Sequence, residues 1–116
     1  MQHKKIIDAF TREALEKYKD RIQTIMLFGS AARGEAGEES DIDILVIGKG
    51  DRLKMRRNLI SIVTRLLLST GKYVSVKTLS VQDFKYNLQL NSPFINNILK
   101  EGIILYKNEG FEPGTH

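Results

Sequence analysis

Two short strings in this sequence carry side chains able to act on a phosphate: Gly29-Ser30 and, after ten intervening residues, Asp41-Ile42-Asp43. Aspartates at positions i and i+2 of a strand project from the same face, so their oxygens lie a few ångströms apart and can share a hard cation. At the mouth of the apolar run Ile44 to Ile47 two such charges repel unless something neutralises them, and Mg²⁺ is the natural candidate. Glycine at position 29 permits close backbone approach. The Ser30 hydroxyl and the free amides of a new helical turn through Ala31-Ala32-Arg33 suit a phosphate oxygen. A metal clamp beside a phosphate-binding turn is what in-line phosphoryl or nucleotidyl transfer asks of a protein, because positioning and charge neutralisation carry most of that chemistry.

The elements that must hold these groups are legible from periodicity. Ile7, Phe10, Ala14, Leu15 and Tyr18 recur at helical spacing over residues 4 to 19. Ile25 to Phe28 is a short apolar run that suits a strand buried on both faces, ending at Gly29. Residues 34 to 40 are rich in glycine and acid and read as a loop into a second strand, Asp41 to Ile47. Asp51 can cap a helix to about Ser69, with Met55, Leu59, Ile62, Val63, Leu66 and Leu67 inward, Arg52, Arg56, Arg57 and Arg65 outward, and Gly71 as its stop. Tyr73 to Leu79 alternates as a half-buried strand. Ser80 with Asp83 resembles a capping box, and Ser92-Pro93 offers a cap and first-turn proline for a helix ending near Gly102. Ile103 to Tyr106 suggests an edge strand.

Composition bounds the possibilities. A chain of 116 residues, 41% hydrophobic and 28% charged, is expected to form one domain with one core, leaving a second substrate to be another molecule. The absence of cysteine excludes disulfides and thiolate catalysis and fits a reducing compartment, so a cytoplasmic location is expected. The N-terminal stretch alternates charged with apolar residues and has neither signal-peptide nor membrane-span character. The net charge of +4 is modest and spread along the chain. Arg52, Lys54, Arg56 and Arg57 read as the solvated face of an amphipathic helix, so nucleic acid is not the expected partner. His3 and His116 lie far in sequence from any nucleophile, and Phe10, Phe28 and Phe84 suit core positions.

The spacing of Gly29-Ser30 and Asp41-Ile42-Asp43 resembles the signature of the DNA polymerase β-like nucleotidyltransferase superfamily. Its setting, Phe28 to Gly34 and Ser40 to Val46, resembles the minimal nucleotidyltransferases, the antitoxin type among them. The resemblance implies an α+β nucleotidyltransferase fold over residues 1–106, a mixed β-sheet with helices packed mainly on one face, and a flexible tail over 107–116. It implies Mg²⁺ and a nucleoside triphosphate, ATP being the expected donor, with transfer of the monophosphate and release of pyrophosphate. Asp41 and Asp43 would be the catalytic metal carriers, while Gly29, Ser30, Arg33 and Ser40 would bind nucleotide. The acceptor would be a partner protein or small molecule, and a small helical HEPN-type toxin is the partner implied. The oligomeric state stays open, a homo-oligomer included.

One position departs from the pattern. Active members of the superfamily usually place a third carboxylate on the next strand, and its equivalent here is Ser75, which cannot act as an anionic ligand or strong base at neutral pH. Glu35, Glu38, Glu39 and Asp83 read as loop solvation and helix capping rather than replacements. The alternative reading is therefore a nucleotide-binding module of weak or no activity that acts by binding a partner protein.

Overall fold

The computed structural model describes residues 3–35, 37 and 40–111. Its elements, in chain order, are α1 (Lys4–Tyr18), β1 (Ile22–Phe28), α2 (Gly29–Ala32), β2 (Ile42–Gly48), α3 (Arg52–Thr70), β3 (Val74–Ser80), α4 (Val81–Gln89), α5 (Pro93–Glu101) and β4 (Ile103–Lys107). The strands form one sheet in the order β3-β2-β1-β4. β1 runs antiparallel to both β2 and β4, while β2 and β3 are parallel, so the sheet is mixed. The parallel pair needs a crossover, and α3 supplies it.

Side-chain alternation along β2 sorts the core into two layers. Ile42, Ile44 and Val46 turn to one face and pack with Ile7, Phe10 and Ala14 of α1 and with Met55, Leu59, Ile62, Val63 and Leu66 of α3. Leu45 and Ile47 turn to the other, where Phe84 and Leu88 of α4, Ile95 and Ile98 of α5, and Phe111 complete a second cluster. The expected mixed sheet is present, with its two long helices on one face. The expectation that helices pack mainly on that face needs amendment, because α4 and α5 cover the other. An apolar strand buried on both sides requires cover on both.

Local chemistry explains the boundaries. The Asp51 carboxylate accepts from the Lys54 amide at 3.1 Å to open α3, and Gly71 closes it in the left-handed conformation at φ 76°. Ser80 accepts from the Asp83 amide at 2.9 Å to open α4. Ser92 does not cap α5 with its side chain, so Pro93 is left as that helix's start signal. Leu67 was expected inward and is instead 37% exposed at the margin of the α3 stripe. Arg65 pairs with Glu13, bridging the outer surfaces of α3 and α1. Arg52, Lys54, Arg56 and Arg57 are exposed as expected.

The C-terminal expectation is corrected over part of its length. Lys107 belongs to β4, the Asn108 amide donates to the Gln23 carbonyl at 2.7 Å, and Phe111 is buried against Phe84 with ring centroids 5.9 Å apart. Phe111 is the apolar residue that anchors a stretch otherwise rich in turn formers. Residues 112–116 lie outside the described residues, as do Ala36, Glu38 and Glu39 of the acidic loop.

Candidate active site

Sheet register, rather than proximity in sequence, assembles the site. Phe28, the last residue of β1, pairs with Asp43 near the start of β2, so the turn that follows β1 falls beside the Asp43 side chain. Gly29 opens α2 with φ +71°, a left-handed conformation that costs other L-residues about 1–2 kcal/mol. A Cβ built on Gly29 would overlap the Asp43 carboxylate, its Cγ being 3.2 Å away. Glycine is thus required twice here, by its torsion and by the close approach of a carboxylate. The sequence reading of two separate halves becomes one cleft: Ser30 and the first turn of α2 on one wall, Asp43 on the other.

Asp41 is exposed just ahead of β2, and Asp43 is half-buried one step inside it. Alternation sends both toward the α4 and α5 face. Burial raises the Asp43 carboxyl above the ordinary aspartate range, the Asp41 charge raises it further, and Lys77 and Arg33 pull against both. Two carboxylates whose charges are mutually unfavourable offer hard oxygen donors to a divalent cation. Among the described residues no group of three acidic, histidine or cysteine side chains is placed to hold a metal.

Asp43 pairs with Ser75 across the parallel β2–β3 ladder, which puts Ser75 at the neighbouring position on the same face. Lys77, two residues on and also on that face, is the cation Asp43 senses most strongly. Sequence reading passed over Lys77; its signal was the alternation of β3, which gives Ser75 and Lys77 one direction.

Arg33 lies at the end of α2, 40% exposed in its side chain, with Nε donating to Glu35 at 3.1 Å and Nη1 to Glu101 at 3.4 Å. Exposed pairs of this kind contribute about 0–1 kcal/mol, so Glu35 and Glu101 hold the guanidinium only weakly. Ser40 closes the acidic loop, its hydroxyl accepting from the Gly37 amide at 3.2 Å and its carbonyl from Lys72 Nζ at 3.4 Å. His3 is buried and its Nε2 lies 3.3 Å from the Gly37 carbonyl, tying that loop to the start of α1. Helix α5 adds a wall that sequence reading did not assign to the site. Phe94, Asn97 and Glu101 face Phe28, Gly29 and Arg33 across a cavity of about 400 Å³. Phe28 and Phe94 meet edge to face with centroids 5.5 Å apart. Asp83 is a helix-capping position on α4, as expected.

The sequence profile of the family described as "Polymerase beta, Nucleotidyltransferase" matches residues 5–110, nearly the whole chain. The chain belongs to this family. It is a nucleotidyltransferase, carrying the α+β fold that the motif implied. MJ0604 of Methanocaldococcus jannaschii, provisionally named a protein adenylyltransferase, is 40% identical over 106 residues, covering 91% of this chain and all of the relative. Among solved structures, a protein from Sulfolobus solfataricus provisionally named a nucleotidyltransferase superposes with a TM-score of 0.58 at 22% identity, covering 91% of this chain and 81% of that one. A chain of a toxin–antitoxin complex crystallised with AMP-PNP superposes with a TM-score of 0.54 at 22% identity, covering 86% and 73% respectively. At such identities the structural likeness speaks for the fold alone. No helix among the described residues is long and apolar enough to cross a membrane.

Proposed function

We propose that this nucleotidyltransferase moves AMP from ATP to a hydroxyl of a partner protein, and that the partner is a small helical HEPN-type toxin which the modification silences. The observation that carries the reading is the contact of Gly29 with the Asp43 carboxylate, which brings a phosphate-binding turn against an acidic pair. The adenylyltransferase name of the 40% identical relative supports the transferred group, and the fold shared with a toxin–antitoxin chain supports the partner. ATP is abundant in the cytoplasm, the compartment proposed for the protein.

Ser30 and the α2 amides would receive the triphosphate, and Arg33, released from Glu35 and Glu101, would meet its outer oxygens. Ser40 would border the nucleotide from the loop end. Phe28 and Phe94 present an apolar wall beside Gly29 where an adenine ring could lie. Asp41 and Asp43 would hold Mg²⁺, which when bound neutralises phosphate charge and lowers the barrier to displacement at phosphorus. The acceptor oxygen bonds to the α-phosphorus, the bond from that phosphorus to the bridging oxygen of the β-phosphate breaks, pyrophosphate leaves, and the hydroxyl proton passes to solvent or a nearby carboxylate.

Ser75 beside Asp43 favours one rival: a module that binds nucleotide and partner without catalysis. Incubation with ATP labelled at the α-phosphate, Mg²⁺ and a HEPN-type protein decides between them. The proposal expects label on the partner and its loss in Asp43→Asn. Labelling that survives Asp43→Asn refutes the assignment of the site. Thermal stabilisation by ATP and Mg²⁺ with no labelled acceptor establishes the rival.

A further inference from the structure

Helix α3 carries a second apolar line that the core does not use. Leu53, Ile60 and Leu67 stand seven residues apart on it and are 62%, 38% and 37% exposed, and Leu68 beside them is 82% exposed. At about 100° per residue, this line lies about 120° round the helix from the buried line of Met55, Leu59, Ile62 and Leu66. Helix α1 does not cover it. Asn58 donates to the Tyr18 hydroxyl and Arg65 pairs with Glu13, which places α1 on a flank about 150° from the exposed line.

A seven-residue recurrence is the spacing at which two helices meet side by side, because it keeps one line against a partner over successive turns. Arg57 and Thr64, four residues after Leu53 and Ile60, are exposed and complete the alternating four-and-three spacing of such a seam. From Leu53 to Leu67 the seam runs about 21 Å along the helix axis, two full repeats. It holds no aromatic residue on which a nucleic-acid base could stack.

Charge names the occupant. Helix α3 contains no aspartate or glutamate. Arg52, Lys54, Arg56 and Arg57 are exposed, and among the described residues none of them is in a salt bridge. They crowd the first two turns, the positive end of the helix dipole, where fold stability alone would place acids instead. Arg56 and Arg57, being consecutive, fall on either side of the seam. A second copy of α3 brings no carboxylate to these cations in either direction, whereas an acidic helix pairs with them along its length.

We propose that the outward seam of α3 is a docking surface for an acidic amphipathic helix of a second protein. Apolar side chains of that helix lie against Leu53, Ile60 and Leu67, and its carboxylates meet Arg56, Arg57 and the first turn. Because α3 packs on the sheet face opposite α4 and α5, the docked helix leaves the Asp43 cleft open, and the surface stands whether or not the chain adenylylates a partner.

The test probe is a synthetic peptide of about three heptads with leucine at a and d and glutamate at e and g. It is titrated into the full chain and followed by NMR through the backbone amides. Saturable submillimolar binding is expected, with shifts at Leu53, Ile60, Thr64 and Leu67 and none at Gly29 or Ser30. A scrambled peptide of the same composition, and one with lysine in place of each glutamate, should each bind at least tenfold more weakly. Leu53→Gln with Ile60→Gln, and separately Arg56→Glu with Arg57→Glu, should each weaken the acidic peptide at least tenfold while sparing the fold, since all four side chains are exposed. No saturable binding, or equal affinity for the scrambled peptide, overturns the proposal. So does a chain that is dimeric by ultracentrifugation and becomes monomeric in Leu53→Gln with Ile60→Gln, which gives the seam to a second copy. Tighter binding of phosphatidylglycerol vesicles or single-stranded RNA than of the acidic peptide, lost in Arg56→Glu with Arg57→Glu, also overturns it.

Discussion

The contact between Gly29 and Asp43 makes a quantitative prediction. Alanine at position 29 must adopt φ +71°, at a cost of about 1–2 kcal/mol. Its Cβ must also displace the Asp43 carboxylate from its rotamer, which adds about 0.5–1.5 kcal/mol. Restricting the unfolded chain returns about 0.4–1 kcal/mol. Gly29→Ala should therefore destabilise the fold by about 2 kcal/mol. In an Asp43→Ala background the colliding oxygen is gone and the Asp43 Cβ stands at an ordinary 3.4 Å, so only the torsional part persists, about 1 kcal/mol after the same offset. A double-mutant cycle by urea unfolding in EDTA should then return a coupling of about 1 kcal/mol, with m-values unchanged across the four proteins. If Gly29→Ala costs the same in both backgrounds, within about 0.5 kcal/mol, the glycine is there for its torsion alone and the carboxylate approach is not what it permits.

Other consequences follow from the same geometry. Because the Asp43 pKa is raised in the fold, the native state holds that proton more tightly than the unfolded chain. Stability of the metal-free protein should therefore fall as pH rises from the ordinary aspartate range through the raised Asp43 value. Denaturant midpoints measured across that window should show the decline, and Asp43→Asn should flatten it while raising the midpoint near neutrality. Added Mg²⁺ should restabilise the wild type but not this variant, as read by melting temperature. Ser75→Asp, placing a carboxylate beside Asp43, should increase the labelling rate of the partner at saturating Mg²⁺; an unchanged or lower rate would show that the vacated position does not limit catalysis. Phe84→Ala, emptying the centre of the second core cluster, should cost about 3–5 kcal/mol by calorimetry, with loss of order at Phe111.

Much of this molecule could be read before any coordinates. Helices α1 and α3 and strands β2 and β3 follow from periodicity, and the Asp51 cap and Gly71 stop from local hydrogen-bonding chemistry, because each depends on residues close in sequence. The Gly29-Ser30 and Asp41/Asp43 spacing pointed to the family for the same reason: the turn and the clamp sit on adjacent strands joined by a short loop. Strand β1 was read three residues short, since Gln23 and Thr24 are polar yet buried, a state set by neighbours distant in the chain. The cover of the second sheet face, the anchoring of Phe111 and the cleft wall from α5 were likewise hidden. The β2–β3 register pairs Ser75 with Asp43 on the strand where the resemblance had located it, while tertiary structure alone decided that Gly29 lies against Asp43 and that Lys77 faces the same cleft. Sequence specifies which groups are present and which way they alternate; strand register and the packing of both faces determine which of them meet.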